Sequence, residues 1–286
     1  MNAFTNAEWA PIFPQNRDDF SLAAEQSNST VLGLAWSPPG LARFRRCVLA
    51  VLTSNLILSL WEPTGLKGQW TRVGIVNHAL HSDPLNPTQE TGLGLRRVNI
   101  RSFHWCLPLK APSTSKGSAS IHDSESRWGT HLLTVATDAN EIALVRVRRS
   151  TGPETLRKAY HIDTISLHSL VPEGGHYPAV QSGSLLQDRL QSQARISSLS
   201  CGPWITALND QDGGAHTVTT VVAAVYGTRL QFVRISFAFP HSESGKDGAI
   251  QHEPTVEMRE HPLASSASRW AHHHIKAPVK WFYTVC

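Results

Sequence analysis

Cys47-Val-Leu-Ala-Val-Leu-Thr-Ser-Asn-Leu-Ile-Leu-Ser-Leu-Trp61 is an apolar, β-rich run, a turn of Ser and Asn, and a second run in which Leu56, Leu58 and Leu60 alternate with the opposite set. The pattern recurs twice. His131–Val147 reads HLLTVATDANEIALVRV, with Ile142/Leu144/Arg146 alternating, and Thr219–Ile235 reads TTVVAAVYGTRLQFVRI, with Leu230/Phe232/Arg234 alternating. Period-two alternation marks a half-buried strand and excludes a helix. Ser/Asn, Asp/Asn and Gly at the break mark a hairpin turn.

Working outward, a short strand precedes each hairpin, in Val31–Gly40, Val98–Pro108 and Ala194–Pro203, and all three end in a Pro-containing turn that stops the strand. A fourth strand is predicted after each hairpin, near Gln69–Val76, Leu156–Leu167 and Pro254–Met258. Repeated four-stranded antiparallel units predict an all-β fold, a partial WD40-like β-propeller of about three blades. The blades fall near 31–80, 96–170 and 194–260, behind a lead-in segment 1–30. Ala277-Pro-Val-Lys-Trp-Phe282 reads as the first strand of another unit at 277–286. Blade starts lie roughly 70 to 95 residues apart, against ~40–45 for a compact WD repeat. The excess sits in long polar loops at Lys110–Ser126, Val171–Gln193, Leu208–His216 and His241–His252, and no long amphipathic helix is found.

Three blades and a beginning do not close a ring, so a fragment, or a partner that supplies the missing blades, is expected. Unpaired edges would make the isolated chain prone to aggregate.

The composition of 41% hydrophobic and 17% charged residues excludes a wholly disordered chain of 286 residues. Four Cys, none in a C-x-x-C pair, exclude a disulfide scaffold and argue against a zinc site. The formal charge of +4, with pI near 9.0, is mildly basic and far from a dedicated nucleic-acid-binding signature. The longest apolar run, Cys47–Leu60, is broken by Thr53-Ser54-Asn55, so no membrane span is read and no membrane partner is expected. The opening MNAFTNAEWAPIFPQNRDD has neither a basic n-region nor an apolar h-region. Without an export signal the thiols are expected to be reduced, in cytosol or nucleus.

Val31–Pro63, VLGLAWSPPGLARFRRCVLAVLTSNLILSLWEP, resembles a degenerate WD40 repeat. More specifically, Trp36-Ser-Pro-Pro-Gly40 followed by Arg46-Cys-Val-Leu-Ala-Val-Leu-Thr-Ser-Asn55 resembles the N-terminal propeller of the transcription factor IIIC delta subunit family. The resemblance implies a nuclear subunit of the complex that recruits RNA polymerase III to tRNA-type promoters. Its partners would be the other transcription factor IIIC subunits and RNA polymerase III initiation factors, with indirect or non-specific DNA contact. It also implies a histone acetyltransferase alternative. A WD40-like scaffold of an unrelated complex is the remaining reading.

Trp36, Ser37, Pro38, Gly40, Trp61 and Trp105 are assigned to the structural blade motif, Trp36 as an aromatic filling the space between blades. The Asp–His–Ser–Trp network of a WD40 blade is not evident, for no Gly-His element is found and Trp61 is followed by Glu62 rather than Asp. Gln89-Glu-Thr-Gly92-Leu-Gly94 matches the short pattern by which acetyltransferases hold the pyrophosphate of acetyl-CoA. Such a loop needs a helix N-terminus behind it, and Leu95–Ile100 reads as leading into a strand. His272-His273-His274 lacks a Cys or carboxylate neighbour and reads as a solvated loop. Cys47, Cys106, Cys201 and Cys286 lie in or beside apolar strands and read as small buried hydrophobes. No catalytic, cofactor-binding or metal residue is assigned, and no cofactor is expected. Three arginine clusters remain: Arg43/Arg45/Arg46, Arg96/Arg97/Arg101 and Arg146/Arg148/Arg149. Of these, Arg45, Arg46, Arg96, Arg97, Arg148 and Arg149 form a candidate contact surface for DNA phosphates or an acidic partner, if they share one face. The alternative is solvated blade edges, where charge blocks edge pairing.

Overall fold

The computed structural model describes residues 30–64, 69–81, 96–110, 127–150, 160–170, 194–208, 216–227, 229–239 and 254–260. They form three antiparallel sheets. In the first, β1 (Val31–Trp36), β2 (Leu49–Thr53), β3 (Leu58–Thr64) and β4 (Gln69–Ile75) lie in chain order. A short helix α1 (Asn77–His81) follows. The second sheet repeats the order with β5 (Ile100–Trp105), β6 (His131–Thr137), β7 (Glu141–Arg149) and β8 (Tyr160–Ser169). The third has β9 (Ile196–Cys201) and β10 (Ile205–Leu208) both paired to the long β11 (His216–Tyr226), then β12 (Arg229–Phe239) and β13 (Thr255–Glu260). The all-β, propeller-like reading and the three hairpins are therefore observed.

The turns explain the registers. Leu56 N–H bonds the Thr53 carbonyl at 2.9 Å, and Asn140 N–H bonds that of Thr137 at 3.1 Å. Leu56 and Asn140 hold left-handed φ values of 61° and 62°. Leu56, expected in the strand, thus belongs to the turn. The third hairpin is tighter: Tyr226 pairs Arg229 across Gly227-Thr228, with Gly227 at φ 58°. The strand-stopping prolines also hold, since β1, β5 and β9 end at Trp36, Trp105 and Cys201, shortly before Pro38, Pro108 and Pro203. Beyond Pro203 the chain pairs again as β10, so Leu208 and His216, expected in a loop, are partners across β10 and β11. Residues 96–98 form one helical turn, and the strand begins only at Ile100.

Alternation also decides the packing. Ala50, Leu52, Leu58, Leu60 and Val73 of the first sheet share a core with Leu133, Val135, Ala143, Val145 and Val147 of the second. The alternate residues Leu132, Ile142 and Leu144 point the other way, into a core with Ile196, Leu199, Val222, Ala224, Val233 and Ile235. The middle sheet is covered on both faces, so β6 is buried throughout. The sheets stack as blades do, face against face.

Trp36 departs from the sequence expectation. Ala35 packs on the first core, so the neighbours Leu34 and Trp36 face the opposite way, where no described strand covers them. Trp36 is 55% exposed and rests against Trp70 at 5.8 Å between ring centroids. Trp36→Ala is therefore expected to cost about 1 kcal/mol, the worth of an aromatic contact, rather than the ~3–5 kcal/mol of a buried aromatic. Denaturant unfolding would check this.

Candidate functional site

The antiparallel order gives the stack two rims. The hairpin turns β2–β3 and β6–β7 and the chain entering each new sheet lie on one, here the upper rim. The β1–β2 and β5–β6 connections and the ends of β3 and β7 lie on the other, the lower rim.

At the lower rim the blade motif closes the β1–β2 connection. Ser37 N–H bonds the Val48 carbonyl at 2.8 Å, and Val48 N–H bonds Ser37 Oγ at 2.9 Å. The buried hydroxyl bonds the Pro38 carbonyl. Gly40, at φ +102°, lies against the Trp128 indole, and His131 Nε2 meets the Pro39 carbonyl at 3.0 Å. Ser37, Pro38 and Gly40 thus shape one turn seated on the second sheet.

Glu62 fixes that turn. It is only 3% exposed. Its Oε1 accepts the Arg43 backbone N–H at 2.6 Å, and its Oε2 accepts the Tyr160 hydroxyl at 3.0 Å. Burial first, then the Glu62 charge and this hydrogen bond, push the Tyr160 hydroxyl far above its ordinary range. The Arg149 guanidinium reaches the same hydroxyl. One buried carboxylate therefore joins the turn of Arg43, Arg45 and Arg46 to the end of β7, where Arg148 and Arg149 lie. Asp163 Oδ2 lies 3.0 Å from Arg148 and 3.6 Å from Arg146.

The middle cluster is elsewhere. Arg96, Arg97 and Arg101 lie on the upper rim, where the Arg97 Nε pairs with Glu141 at 3.0 Å. Arg101 and Arg195 share Asp138 Oδ1, the latter at 3.2 Å. The structure thus brings the first and third clusters to one rim and the second to the opposite one.

The remaining motif residues, Trp105 and Trp61, pack within the sheets. Trp105 is buried in the first core. Trp61 Nε1 donates to Ser59 Oγ at 2.8 Å, and the Arg72 guanidinium lies 5.7 Å from the Trp61 ring centroid. Sequence reading missed Asn77, which is fully buried. Its amide donates to the Leu56 and Val98 carbonyls at 3.0 and 2.6 Å and accepts Leu58 N–H at 2.9 Å, tying the first hairpin to the approach to β5.

Between the second and third sheets, Ser102 Oγ accepts Leu199 N–H at 3.1 Å and His104 Nδ1 accepts Cys201 N–H at 3.3 Å. Burial pulls the His104 imidazole below its ordinary 6.5. A depressed imidazole pKa means the folded state resists a proton that the unfolded chain accepts. Stability on this account is full above about pH 6.5 and falls as pH drops below it. Thermal melts between about pH 7.5 and 5 are expected to show the fall, shallower in His104→Gln. Cys106 and Cys201 are buried as expected; the hydrogen bond to Cys201 and burial push the Cys106 thiol well up. Cys47 is half-buried.

Gln89–Gly94, His272–His274, Cys286 and 277–286 lie outside the described residues, as do the lead-in up to residue 29 and most of the predicted loops. Among the described residues no group of three or more His, Cys, Asp or Glu side chains is placed to hold a metal ion. No described helix is long and apolar enough to cross a membrane.

The family model for the transcription factor IIIC subunit delta β-propeller domain matches residues 1–286, the whole chain. No curated protein matches it.

Proposed function

Because the chain belongs to the transcription factor IIIC subunit delta β-propeller family, we propose that it is a non-enzymatic nuclear scaffold, holding other subunits of that complex together at RNA polymerase III promoters of the tRNA type. The whole-chain family match carries the reading. The physical support is a stack of three sheets, the first two joined by buried hydrogen bonds at both rims and the last two by a shared apolar core, with polar edges. Rigid surfaces of this kind lose little conformational freedom when a partner docks. The candidate contact surface is the lower rim, with Arg45, Arg46, Arg148 and Arg149; Arg96 and Arg97 lie opposite it. RNA polymerase III initiation factors are partners on the same reading.

The test is affinity purification of the tagged full-length protein at its native level. Stoichiometric recovery of the other transcription factor IIIC subunits, together with crosslinking at tRNA genes, is expected. A protein that purifies without them, or that is absent from those genes, overturns the proposal.

A further inference from the structure

The turn Arg43-Phe44-Arg45-Arg46 has a conformation that its sequence does not favour. Phe44 (φ 57°, ψ 31°) and Arg45 (φ 62°) are consecutive non-glycine residues in the left-handed region. Such residues persist only where the surroundings over-determine them, and they gather at functional sites. The surroundings here are firm. Leu41 and Ala42 are each 3% exposed, and Gly40 N–H and Ala42 N–H bond the Arg45 and Arg46 carbonyls at 3.0 and 2.9 Å. The buried Glu62 holds Arg43 N–H from below. All this presents Phe44 to solvent at 77% exposure, the greatest of the exposed large hydrophobics among the described residues. The Arg43 guanidinium lies 5.0 Å from its ring centroid. Arg45 and Arg46 are exposed, and neither pairs with a carboxylate among the described residues.

We propose that this turn binds single-stranded nucleic acid, Phe44 stacking on one unpaired base while Arg45 and Arg46 grip the flanking phosphates. The inference rests on reading the lower rim as a contact surface, and it names the ligand of that rim. Every base offers a π-face, so stacking tolerates any sequence, and guanidinium forks match phosphate oxygens two at a time. A duplex has its base faces already stacked and offers the ring nothing. An acidic peptide would engage the arginines but leave the strained, exposed ring without a role. Arg148 and Arg149 lie along the same rim, where the strand would continue.

The experiment uses the full-length chain with a fluorescein-labelled, mixed-sequence 15-nucleotide single strand, its duplex, and polyglutamate. The single strand is expected to bind most tightly. Phe44→Ala is expected to weaken it about ten- to a hundred-fold. Phe44→Gly suits the left-handed backbone, so it keeps or raises stability while losing the same affinity, which separates binding from folding. Arg45→Gln and Arg46→Gln are each expected to lower the salt slope by about 0.7. No binding of the single strand, duplex binding at least as tight and indifferent to Phe44, or polyglutamate binding with the same dependence on Phe44 would each overturn the proposal. Recovery of the other subunits with Phe44→Ala keeps the scaffold reading when this one fails.

Discussion

Glu62→Ala is expected to cost about 3–4 kcal/mol of stability and to loosen the junction of the first two sheets before the rest. The substitution strands two donors, the part-buried Arg43 backbone N–H and the buried Tyr160 hydroxyl, which the carboxylate now satisfies. Hydrogen bonds to a charged group contribute roughly 1.5–3 kcal/mol each, and an orphaned buried donor bears its own desolvation cost. Tyr160→Phe strands no backbone donor but takes a partner from Glu62 Oε2 and from the Arg149 guanidinium, so it should cost about 2–3 kcal/mol, still less than Glu62→Ala. The double variant should cost less than the sum of the two, because the hydroxyl orphaned by Glu62→Ala is absent from it. Denaturant unfolding of the four proteins measures this coupling; strict additivity would mean that Glu62 and Tyr160 do not hold each other. The raised Tyr160 hydroxyl adds a pH signature. Its folded-state pKa lies above the ordinary 10.0, so its contribution is complete below about pH 10 and is lost as the pH climbs further. Tyr160→Phe should remove that alkaline loss.

Neither partner of this pair was legible in the sequence. A glutamate after a tryptophan at a strand end reads as solvated, and its partner lies 98 residues away. The same holds for Asn77, a polar residue following the apolar Val73–Val76 that reads as the start of a loop. Its burial follows from filling the gap beneath a hairpin whose carbonyls need donors. What the sequence did show was local. Alternation in Cys47–Trp61, His131–Val147 and Thr219–Ile235 is imposed by each strand on itself, and turn residues select the hairpins, so the sheets could be drawn before any packing was known. The failure at Trp36 has the same root. Alternation says that Ala35 and Trp36 face opposite ways, not which face another sheet will cover. β10 was missed because Gly202-Pro203 reads as a stop, although the ladder of β11 continues past the interruption. Nor did the strain at Phe44 and Arg45 leave a sign, since glycine or asparagine is the usual mark of a left-handed turn and neither residue is present there.

Gly40 is the one residue of the Trp36–Gly40 motif whose identity is dictated by both backbone and space. At φ +102° its backbone lies beyond the left-handed region that other residues tolerate. A Cβ there would also sit 2.6 Å from Trp128 Cγ and 2.8 Å from its Cβ and Cδ2, and a ring held against the rim cannot withdraw as the tip of a flexible chain would. Gly40→Ala therefore combines backbone strain of about 1–3 kcal/mol with an overpacking cost of similar size, together about 3 kcal/mol or more. The two terms can be separated. Trp128→Gly removes all three of these atoms but not the dihedral, so adding it to Gly40→Ala should recover part of the loss, after allowance for the cost of Trp128→Gly alone. Full recovery would mean that the backbone is unstrained, and none would mean that strain is the whole effect. Thermal unfolding in the same series is expected to move down by roughly 6–12 °C for Gly40→Ala. The change should reach the neighbouring turn, because Gly40 N–H bonds the Arg45 carbonyl and so helps to hold Phe44 and Arg45 in their left-handed conformations. A Gly40→Ala chain that remains folded should thus also show altered contacts at Phe44, which would place the glycine beneath the whole arginine-bearing rim rather than at one corner of it.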